Sequence, residues 1–584
     1  MDVTSSAADG AAFDVVVLGS GAAGLSAAIT ARAAGLAVLV LEKTAYFGGS
    51  TAVSGGAVWV PENPGMAALG HEDSREKAMA YLRATVGNHL RADMAEAFLD
   101  GGPRMVRFMR EHAGLRLIPR AVSPDYKPER EGAMQGGRSM DPEPFDGRQL
   151  GEMFHALRPP YASFMAFGGM MVTRRDIDAL LSARRSLAGL RHSLGLLARY
   201  GADRLRYRRG TRLVLGNALA GRLLLAARQA GVVLRRGVEV EALQRSDGRV
   251  TGVVLRENGT RCPVAARVGV VLATGGFAQN ARLREEYLPH AGVHRSMSPE
   301  GNTGDGIALA RAAGAAMQHD CAGPAFWAPV SVLGGEDGGE TVFPHLIMDR
   351  QKPGLMAVNG AGRRFVNEAT SYHEFVEGMH RTHGETPCIP AWLICDKRFL
   401  RKYGMGLVRP GGPSLKPFIE AGYLIEAPTV AALAGRIGVP AEALAESVAR
   451  MNAAARGGED PEFGRGASAY DRYLGDPSHA PNPCLGPIET PPFYAVQVWP
   501  GDIGTAAGLR TDARTRVLDD GGDPVPGLHA CGNDMASIMA GTYPAAGITL
   551  GPGLTFGYIA GQELARAAGA AVPMPRRAAQ DAAA

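Results

Sequence analysis

The stretch that decides the fold is Phe13-Asp-Val-Val-Val-Leu-Gly-Ser-Gly-Ala-Ala-Gly24. Its first six residues form a largely apolar run, which is typical of a buried parallel strand. An Ala-rich helical segment follows at 25–34, and 36–41 is a second apolar run. A strand, a glycine turn, a helix and a second strand in this order predict a βαβ unit of a doubly wound sheet.

The glycine turn fits the pattern GxGxxG. Gly19 permits the turn, Gly21 lets the backbone approach a pyrophosphate, and Gly24 lets the helix pack closely on the strand. The pyrophosphate then lies at the helix N-terminus, where free N–H groups and the helix dipole favour an anion. Glu42 follows at the distance at which an acidic residue binds a ribose hydroxyl. These features together predict a dinucleotide site rather than an empty glycine turn.

The composition is ordinary for a soluble globular protein. Of the 584 residues 46% are hydrophobic and 21% are charged, and a formal net charge of +4 gives no support for nucleic-acid binding. The six cysteines form no CxxC pair, and Pro289 and Gly292 disfavour a helical metal pair of His290 and His294, so we expect no metal site. No apolar run reaches 18 residues and 1–10 lack a basic, apolar leader, which predicts a cytoplasmic protein.

The βαβ rhythm stops in the middle of the chain and returns near Thr511. Aromatic residues and prolines are more frequent in between, which indicates a second domain inserted into the first. We therefore predict a nucleotide-binding domain at 1–325 and 501–570, a catalytic domain at 326–500, and a disordered Ala/Pro-rich tail at 571–584.

Further glycine loops indicate a larger cofactor than a transiently bound dinucleotide. They are Phe47-Gly-Gly-Ser-Thr51, Ser54-Gly-Gly56, Val271-Leu-Ala-Thr-Gly-Gly-Phe277, Gly301-Asn-Thr-Gly-Asp-Gly306 and Ala530-Cys-Gly-Asn-Asp534. These segments resemble the FAD-binding flavoproteins of the fumarate reductase and succinate dehydrogenase superfamily. The resemblance implies an α/β fold, in which a doubly wound, Rossmann-like FAD-binding domain is interrupted by an α+β catalytic domain.

The same resemblance implies that FAD is bound non-covalently by these loops. In the superfamily, the segments that correspond to 273–277 and 532–533 border the FAD. The residues implied as FAD contacts are Gly19, Gly21, Ala22, Ala23, Gly24, Glu42, Lys43, Gly48, Gly49, Ser50, Thr51, Ser54, Gly55, Gly56, Val240, Ala273, Thr274, Gly275, Gly276, Asp305, Gly532, Asn533, Gly547 and Leu550.

One position separates this chain from the fumarate reductases. Those enzymes use an arginine as proton donor shortly after a segment similar to Arg364-Phe-Val-Asn-Glu368, and this chain has Tyr372 there. The change removes a charge that suits two substrate carboxylates and supplies a neutral phenol. A fumarate-reductase-like activity on another unsaturated substrate is one alternative function. A flavin-binding electron-transfer subunit is a non-enzymatic alternative.

The other motifs narrow the resemblance further. They are Asp125-Tyr126, Asn367–Tyr372, Asp471-Arg-Tyr473, Trp499-Pro-Gly-Asp-Ile-Gly-Thr505 and Tyr543-Pro-Ala-Ala-Gly-Ile-Thr-Leu-Gly-Pro552. Over nearly the whole chain they resemble the 3-ketosteroid Δ1-dehydrogenases. A related 3-ketosteroid Δ4-dehydrogenase is an alternative within the same group.

The resemblance to the Δ1-dehydrogenases implies roles for four residues. The Tyr543 hydroxyl and the Gly547 N–H would bind the C3 carbonyl oxygen of a 3-ketosteroid and favour enolisation. Tyr372 would take the C2 proton, and Tyr126 would hydrogen-bond Tyr372, although a packed core residue is the alternative for Tyr126. The C1 hydrogen would leave as hydride to flavin N5, which gives a C1=C2 bond in a step of steroid degradation. Lys127 is a second group that could lower the pKa of a neighbouring phenol.

Residues 184–212 form a basic stretch in which arginines are interleaved with leucines and tyrosines. Such a pattern is typical of a helix on a membrane surface, and a solvated helical face is the alternative. Membrane contact would suit an apolar substrate and a quinone-type electron acceptor. We therefore keep peripheral membrane association beside the cytoplasmic location.

Overall fold

The structure, a computed structural model, describes residues 12–183, 186–257, 259–335, 338–411 and 414–573. The predicted tail lies outside the described residues from 574 onward. Arg184 and Arg185 of the basic stretch also lie outside them.

The strands follow one another along the whole described chain. In chain order they are β1 (Ala12–Leu18), β2 (Val38–Glu42), β3 (Val58–Trp59), β4 (Leu117–Pro119), β5 (Ser139–Pro142), β6 (Phe145–Asp146), β7 (Met165–Ala166), β8 (Met170–Met171), β9 (Arg212–Leu213), β10 (Val233–Arg236), β11 (Glu239–Ser246), β12 (Arg249–Glu257), β13 (Thr260–Leu272), β14 (Arg295–Ser296), β15 (Ala325–Gly334), β16 (Glu340–Pro344), β17 (Leu355–Val358), β18 (Ala391–Asp396), β19 (Leu424–Ala427), β20 (Phe493–Thr505), β21 (Arg516–Leu518) and β22 (Pro524–Ala530).

The α-helices connect and cover these strands. In chain order they are α1 (Ala22–Ala33), α2 (Gly49–Val53), α3 (Arg75–Val86), α4 (Ala92–Ala113), α5 (Arg174–Ser182), α6 (Leu187–Arg204), α7 (Leu215–Gln229), α8 (Ala281–Tyr287), α9 (Asp305–Ala312), α10 (Tyr372–His383), α11 (Lys397–Tyr403), α12 (Lys416–Glu420), α13 (Val430–Ile437), α14 (Ala441–Gly457), α15 (Ala469–Leu474) and α16 (Leu550–Ala567).

The first sheet contains the predicted βαβ unit. Its strand order is β10-β2-β1-β13-β12-β11, and β22 pairs with the end of β13 and with β21. The strands β10, β2, β1, β13 and β22 are parallel, whereas β11, β12 and β21 pair antiparallel to their neighbours. Val15, Val16 and Val17 of β1 have no exposed surface, as expected for a parallel strand covered on both faces. The predicted α/β fold class is confirmed.

The second sheet has the order β16-β15-β20-β18-β17, and all four pairings along this path are antiparallel. The strands β14 and β19 also pair with β20. Because β14 comes before residue 326, the pairing of this sheet begins earlier in the sequence than the predicted catalytic domain. The domain limits themselves stay a prediction.

The two sheets meet where parallel strands of the first sheet end. Gly276 follows β13, and a Cβ added to it would lie 2.1 Å from the Thr505 hydroxyl at the end of β20. The chain then returns to the first sheet through β21 and β22 and ends in α16, which packs against α1 and α4. The glycine loop that follows β13 therefore lies at this junction.

Candidate active site

The first glycine turn has the backbone that a dinucleotide site requires. Gly19 has φ +103°, and a Cβ added to it would lie 2.1 Å from the Ala273 carbonyl oxygen. A Cβ on Gly24 would lie 2.2 Å from the carbonyl oxygen of Gly19. Both positions therefore require glycine. The helix α1 begins here without a side-chain cap, so its N-terminus is suited to an anion.

The end of β2 carries the predicted ribose-binding carboxylate. Glu42 is 7% exposed and accepts hydrogen bonds from Ser20 Oγ (2.6 Å) and from Thr44 N (2.9 Å). Ser20 Oγ in turn accepts a hydrogen bond from Gly48 N (3.0 Å), and Ala22 N donates to Thr51 Oγ1 (3.0 Å). The first two glycine loops and Glu42 are thus fixed to one another.

The later glycine loops are joined by two polar residues that the sequence prediction did not assign to the site. Asp534 is fully buried and accepts hydrogen bonds from Thr274 N (2.6 Å) and Gly276 N (2.9 Å). Asn302 Nδ2 donates to Ser50 Oγ (2.9 Å) and to the Gly275 carbonyl (2.9 Å). Both residues lie inside glycine motifs of the sequence, and this position was the only sequence feature that could have indicated their role.

The remaining predicted FAD contacts lie around these loops. Lys43 Nζ and Asp305 form an ion pair at 2.6 Å. Val240 is on β11, just after Val238, whose N–H donates to the Glu42 carbonyl (3.1 Å). The other predicted FAD contacts lie in turns or at the starts of helices. They are Gly49, Ser50 and Thr51 in α2, Ser54, Gly55 and Gly56 after α2, Gly532 and Asn533 in a 3₁₀ turn, and Leu550 at the start of α16.

Backbone borders the gap between the first and second glycine loops. A Cβ on Gly21 would have only the Thr51 hydroxyl within 4 Å, at 3.7 Å, and a Cβ on Gly49 would point toward the Gly21 backbone at 3.8 Å. Side chains at these two positions would enter the gap between the first and second loops. Together with the uncapped N-terminus of α1, this open backbone cradle is what a pyrophosphate needs.

The structure brings the three predicted tyrosines together from distant parts of the chain. Tyr126, Tyr372 and Tyr543 are 7%, 5% and 6% exposed. The Tyr126 hydroxyl donates to the Tyr372 hydroxyl at 3.3 Å. The ring centroids of Tyr372 and Tyr543 are 5.1 Å apart, and those of Tyr126 and Tyr543 are 5.6 Å apart. We call these three residues the phenol cluster.

Local backbone contacts hold each member of the phenol cluster. Tyr126 lies in a loop and its N–H donates to the Pro544 carbonyl at 2.7 Å, which joins it to the segment that carries Tyr543. Tyr372 is the first residue of α10, and Ser371 caps this helix by accepting a hydrogen bond from Glu374 N (3.2 Å). The cluster therefore depends on a loop, a helix start and a turn that are far apart in sequence.

Gly547 lies four residues after Tyr543 in the same turn. It has φ +98°, and a Cβ added to it would lie 2.6 Å from the Trp59 nitrogen, so the position requires glycine. Its carbonyl accepts a hydrogen bond from Trp59 N at 3.1 Å. Among the described residues, no acceptor takes the Gly547 N–H. This N–H is therefore free to bind a ligand atom.

A fourth tyrosine adjoins the phenol cluster, and the sequence analysis did not assign it. Tyr470 is 3% exposed, and its ring centroid is 4.5 Å from that of Tyr126. Its buried hydroxyl makes no well-formed hydrogen bond to a described residue, but it lies close enough to contribute to the pKa of Tyr126. The only sequence signal was its place immediately before the Asp471-Arg-Tyr473 motif.

Burial works against ionisation of the phenol cluster. It raises the pKa of Tyr126, Tyr372 and Tyr543 above the ordinary value for tyrosine. Hydrogen bonding with Tyr372 and the charge of Arg120 oppose this rise in the pKa of Tyr126. Each pKa unit corresponds to about 1.4 kcal/mol. Because the phenols interact, their protons belong to the cluster rather than to one residue.

The cations around the phenol cluster are held by carboxylates. Lys127 Nζ pairs with Glu374, so Arg120, rather than Lys127, is the cation that lowers the pKa of Tyr126. Arg120 itself is paired with Asp141 at 2.6 Å. The buried Arg138 is paired in the same way with Asp73 (2.7 Å) and Asp125 (2.9 Å).

Aromatic residues form the adjacent wall. The Phe326 ring meets Tyr543 edge to face at 5.6 Å, and His373 lies 5.7 Å from the same ring. Trp327 N donates to His373 Nδ1 at 3.0 Å, which fixes this wall to α10. The wall therefore offers an apolar contact to a ligand near Tyr543.

The two histidines with HxxxH spacing have different partners. His294 Nε2 lies 2.6 Å from the Asp502 carboxylate, and both side chains are fully buried. The His290 ring instead stacks on His380 at 5.5 Å. They do not form a ligand pair in the part of the chain that the structure describes.

The comparisons with known proteins agree with this geometry. The model of the family "FAD binding domain" matches residues 14–550. A 3-oxosteroid 1-dehydrogenase of Mycobacterium tuberculosis is 39% identical over 95% of this chain and 99% of its own length. A 4-oxocyclohex-2-ene-1-carboxylate 5-dehydrogenase of Sinomonas cyclohexanicum is also 39% identical, over 96% of this chain and 95% of its own.

A solved structure extends the likeness to three dimensions. It is a 3-ketosteroid Δ1-dehydrogenase from Sterolibacterium denitrificans in complex with 1,4-androstadiene-3,17-dione. It has a TM-score of 0.88 and 39% sequence identity, and the match covers 95% of this chain and 99% of that one. The predicted resemblance and the predicted FAD cofactor are confirmed. The chain belongs to the FAD binding domain family and, within it, to the flavoprotein family that contains the 3-oxosteroid 1-dehydrogenases.

Proposed function

We propose that this protein is an FAD-dependent oxidoreductase that introduces the C1=C2 bond into ring A of 3-ketosteroids. The observation that carries the proposal is the convergence of Tyr126, Tyr372 and Tyr543 on one buried place. Gly547 follows Tyr543 by four residues, and its N–H has no acceptor among the described residues. The relatives that are named 3-oxosteroid 1-dehydrogenases support the same reaction.

The Tyr543 hydroxyl and the Gly547 N–H would bind the C3 carbonyl oxygen. Both are donors, and neither needs to reorganise strongly, because the Tyr543 ring is buried and Gly547 is fixed by Trp59. Donors held in this way stabilise the negative charge that develops on the oxygen during enolisation. The acidity of the neighbouring C2 hydrogens rises as a result.

Tyr372 would then take the proton from C2. The Tyr126 hydroxyl lies 3.3 Å from the Tyr372 hydroxyl and would donate to it once Tyr372 is ionised. In the resting cluster, burial and the neighbouring phenols Tyr126 and Tyr543 raise the pKa of Tyr372. Burial also excludes water from the reacting carbon and strengthens the electrostatic interactions inside the site. The two phenols thus act as one proton acceptor.

The linked glycine loops would hold FAD non-covalently. The turn at 19–24 would hold the pyrophosphate and Glu42 the ribose, and 273–276, 301–306 and 532–534 would hold the rest of the cofactor. Bound FAD supplies the acceptor for the hydride that leaves C1. Release of unmodified FAD into the supernatant when the protein is denatured by acid would test the non-covalent binding.

An uncharged ketone suits the site better than a keto acid. Relatives from Sinomonas cyclohexanicum are named dehydrogenases of 4-oxocyclohexane-type carboxylates, and they are as similar to this chain as the steroid enzymes. A carboxylate would need a free cation, but Lys127, Arg120 and Arg138 are each paired with an acidic residue. The Phe326 ring, which meets Tyr543 edge to face, favours an apolar substrate instead.

Anaerobic flavin bleaching with defined substrates tests the proposal. Androst-4-ene-3,17-dione should bleach the flavin of the purified protein, and the product should have lost two hydrogens at C1 and C2 by mass and NMR. A loss at C4 and C5 of a saturated steroid would indicate a Δ4-dehydrogenase. Bleaching by 4-oxocyclohexanecarboxylate alone would favour the keto-acid activity. Oxidation of the pre-reduced protein by fumarate would favour the reductase alternative.

The helix α6 would bind a membrane surface. Leu187, Leu190, Leu194 and Leu197 recur at helical spacing, and Leu187 and Leu194 are 86% and 58% exposed. Exposed arginines follow on the same segment, so apolar insertion can combine with attraction to anionic lipid. No helix among the described residues has the length and apolarity to cross a bilayer.

Vesicle sedimentation tests this membrane contact. The protein should sediment with vesicles that contain anionic lipid, and the substitutions Leu187→Ser and Leu194→Ser together should abolish that binding while flavin bleaching by steroid is retained. The matched control is Ile118→Ser, because Ile118 is 52% exposed on β4 and does not belong to the row of exposed leucines on α6. Equal sedimentation of all three proteins would favour the solvated-face alternative.

The electron acceptor would be a quinone-type molecule. A membrane-bound α6 would bring the protein to the bilayer, in which both lipid-soluble acceptors and apolar steroids are dissolved. Steroid-reduced protein should be reoxidised by a short-chain quinone faster than by dioxygen at equal concentration. Faster reoxidation by dioxygen would contradict this part of the proposal.

A further inference from the structure

A buried polar chain lies in the second sheet beside α10. Ser331 Oγ is 2.8 Å from His345 Nε2, and His345 Nδ1 is 2.6 Å from the Asp349 carboxylate. The distances are those of a hydrolytic triad, but the three residues are 0%, 0% and 2% exposed. The Ser331 hydroxyl also bonds the Tyr423 hydroxyl at 2.7 Å. No substrate reaches this serine, so the chain has another use.

Asp349 fixes the next residue along the chain, Arg350. The N–H of Arg350 donates to Asp349 Oδ1 at 2.8 Å, while Asp349 Oδ2 is held by His345 and by Gly406 N (3.1 Å). The backbone of Arg350 is therefore set by the buried His345–Asp349 pair. Its side chain extends from that fixed point toward α10.

The Arg350 guanidinium joins two segments through carbonyl oxygens. On one side it donates to His345 O (2.7 Å) and Leu346 O (3.1 Å). On the other side it donates to Glu368 O (2.8 Å) and Thr370 O (3.3 Å). Such a planar fork can hold several acceptors at fixed angles, which an ammonium group cannot do.

The same guanidinium also contacts the first turn of α10. Its central carbon lies 4.9 Å from the ring centroid of Phe375. Thr370 precedes Tyr372 by two residues, and Phe375 follows it by three, so Arg350 contacts the chain on both sides of Tyr372. Residues three apart on a helix share one face, which places this contact directly along the helix from Tyr372.

Arg350 has no exposed surface and keeps its charge. Burial lowers its pKa to about 10, which still leaves it protonated at neutral pH. The charged and titratable groups that act on it are Asp349, Glu368, Arg465 and Tyr470. All its side-chain hydrogen bonds to described residues go to backbone carbonyls. Because burying a cation costs free energy, we infer that the fold requires the backbone bonded by Arg350 to be accurately placed.

We propose that Arg350, held by the Ser331–His345–Asp349 chain, is the positioning residue for Tyr372. The inference rests on the proposed function of Tyr372 as the group that takes the C2 proton. Arg350 touches neither substrate nor flavin in this proposal. It sets the start of α10, and with it the distance from the Tyr372 oxygen to the C2 hydrogen. A displacement of about 1 Å at a reacting group can lower a rate about 100-fold.

The substitution Arg350→Lys tests this role. It keeps a positive charge, but a single ammonium nitrogen cannot span the four carbonyls that the wider guanidinium bonds. We expect the limiting rate of anaerobic flavin bleaching by androst-4-ene-3,17-dione to fall about 10- to 100-fold while the dissociation constant for the steroid changes less than about twofold. Deuterium at C2 should slow bleaching more in this variant than in the wild type, because proton removal becomes the slower step.

The matched control is Arg465→Lys. Arg465 is equally buried and belongs to the same network, but it bonds the Arg350, Lys352 and Leu355 carbonyls and the Glu368 carboxylate rather than the backbone before α10. Arg465→Lys should lower the melting temperature by about as much as Arg350→Lys does. Its isotope effect with deuterium at C2 should equal that of the wild type. An equal increase of the isotope effect in both variants would overturn the assignment to Arg350.

Two further outcomes separate the possibilities. A bleaching rate and an isotope effect of Arg350→Lys equal to those of the wild type would overturn the inference, whereas a wild type that steroid does not bleach would overturn the proposed function. If Arg350→Lys does not retain FAD, Phe375→Leu decides the question. This variant removes the ring beneath the guanidinium and should raise the isotope effect in the same direction, and wild-type behaviour there would refute the positioning role.

Discussion

The nucleotide loops and the phenol cluster form one site by different means. The loops take their shape from backbone, since Gly19 has no room for a Cβ beside the Ala273 carbonyl and Gly24 has none beside the carbonyl of Gly19. The phenol cluster takes its shape from side chains that start on three distant segments. Damage to the loops should therefore remove the cofactor, and damage to the cluster should leave a coloured protein without activity.

The largest effect should come from Gly19→Ala. The added Cβ would lie 2.1 Å from the Ala273 carbonyl oxygen, so the turn must shift at the place where it meets the pyrophosphate. We expect purified protein without yellow colour and without steroid-dependent activity. The absorption ratio of flavin to protein measures this loss. Gly35→Ala is the control, because Gly35 also has a positive φ (+89°) but has nothing within 4 Å of an added Cβ.

Tyr372→Phe should have the next largest effect. It removes the proton acceptor while the buried ring is kept, so turnover should fall about 10²- to 10⁴-fold with normal flavin content. Steady-state assays with an artificial electron acceptor measure the change. Tyr473→Phe is the matched control, because Tyr473 is only partly buried and contacts Arg174. Normal turnover in Tyr372→Phe would remove the proposed base.

Tyr543→Phe should lower turnover about 10²- to 10³-fold, as loss of one oxyanion donor does in other enzymes. FAD should stay bound, since no described hydrogen bond joins Tyr543 to the nucleotide loops. The limiting rate of flavin bleaching by steroid gives the effect on the reductive step. Loss of flavin from this variant would contradict the separation of the two regions.

The pH dependence should show the smallest effect. Burial raises the pKa of Tyr372, so at neutral pH the protonated form dominates and the bleaching rate should rise as pH rises toward that pKa. In the proposed mechanism Tyr126 donates to ionised Tyr372, so Tyr126→Phe should move the rise to higher pH. Bleaching rates from neutral to alkaline pH measure the shift. An unchanged profile with near-normal rates would make Tyr126 a packing residue only.

The same contrast explains what the sequence could predict. The βαβ unit and its glycine turn were readable because strand, turn and helix are local and have fixed spacing. The roles of Tyr126, Tyr372, Tyr543 and Gly547 came from resemblance to a family, and the structure places the three tyrosines together. Those roles themselves stay a prediction.

The missed residues act over long distances in the chain. Asp534 bonds Thr274 across 260 positions, and Arg350 bonds Thr370 from a neighbouring segment that has no motif of its own. Lys127 was expected near a phenol, but its partner Glu374 is 247 positions away, and this pairing could not be inferred from spacing. A local sequence pattern therefore predicts the glycine loops, whereas the long-range hydrogen-bond and ion-pair partners are seen only in the structure.

The link from Asp534 to Thr274 and Gly276 has a consequence for biosynthesis. The carboxylate that completes these loops lies 260 positions after Thr274, and the helix α16 that covers α1 follows it, so both leave the ribosome long after the segments they contact. The amino-terminal half emerges with the apolar side of β13 and α1 still uncovered. Flavin capture is therefore a late event of maturation, and ribosome-stalled chains that end before β22 should bind no FAD.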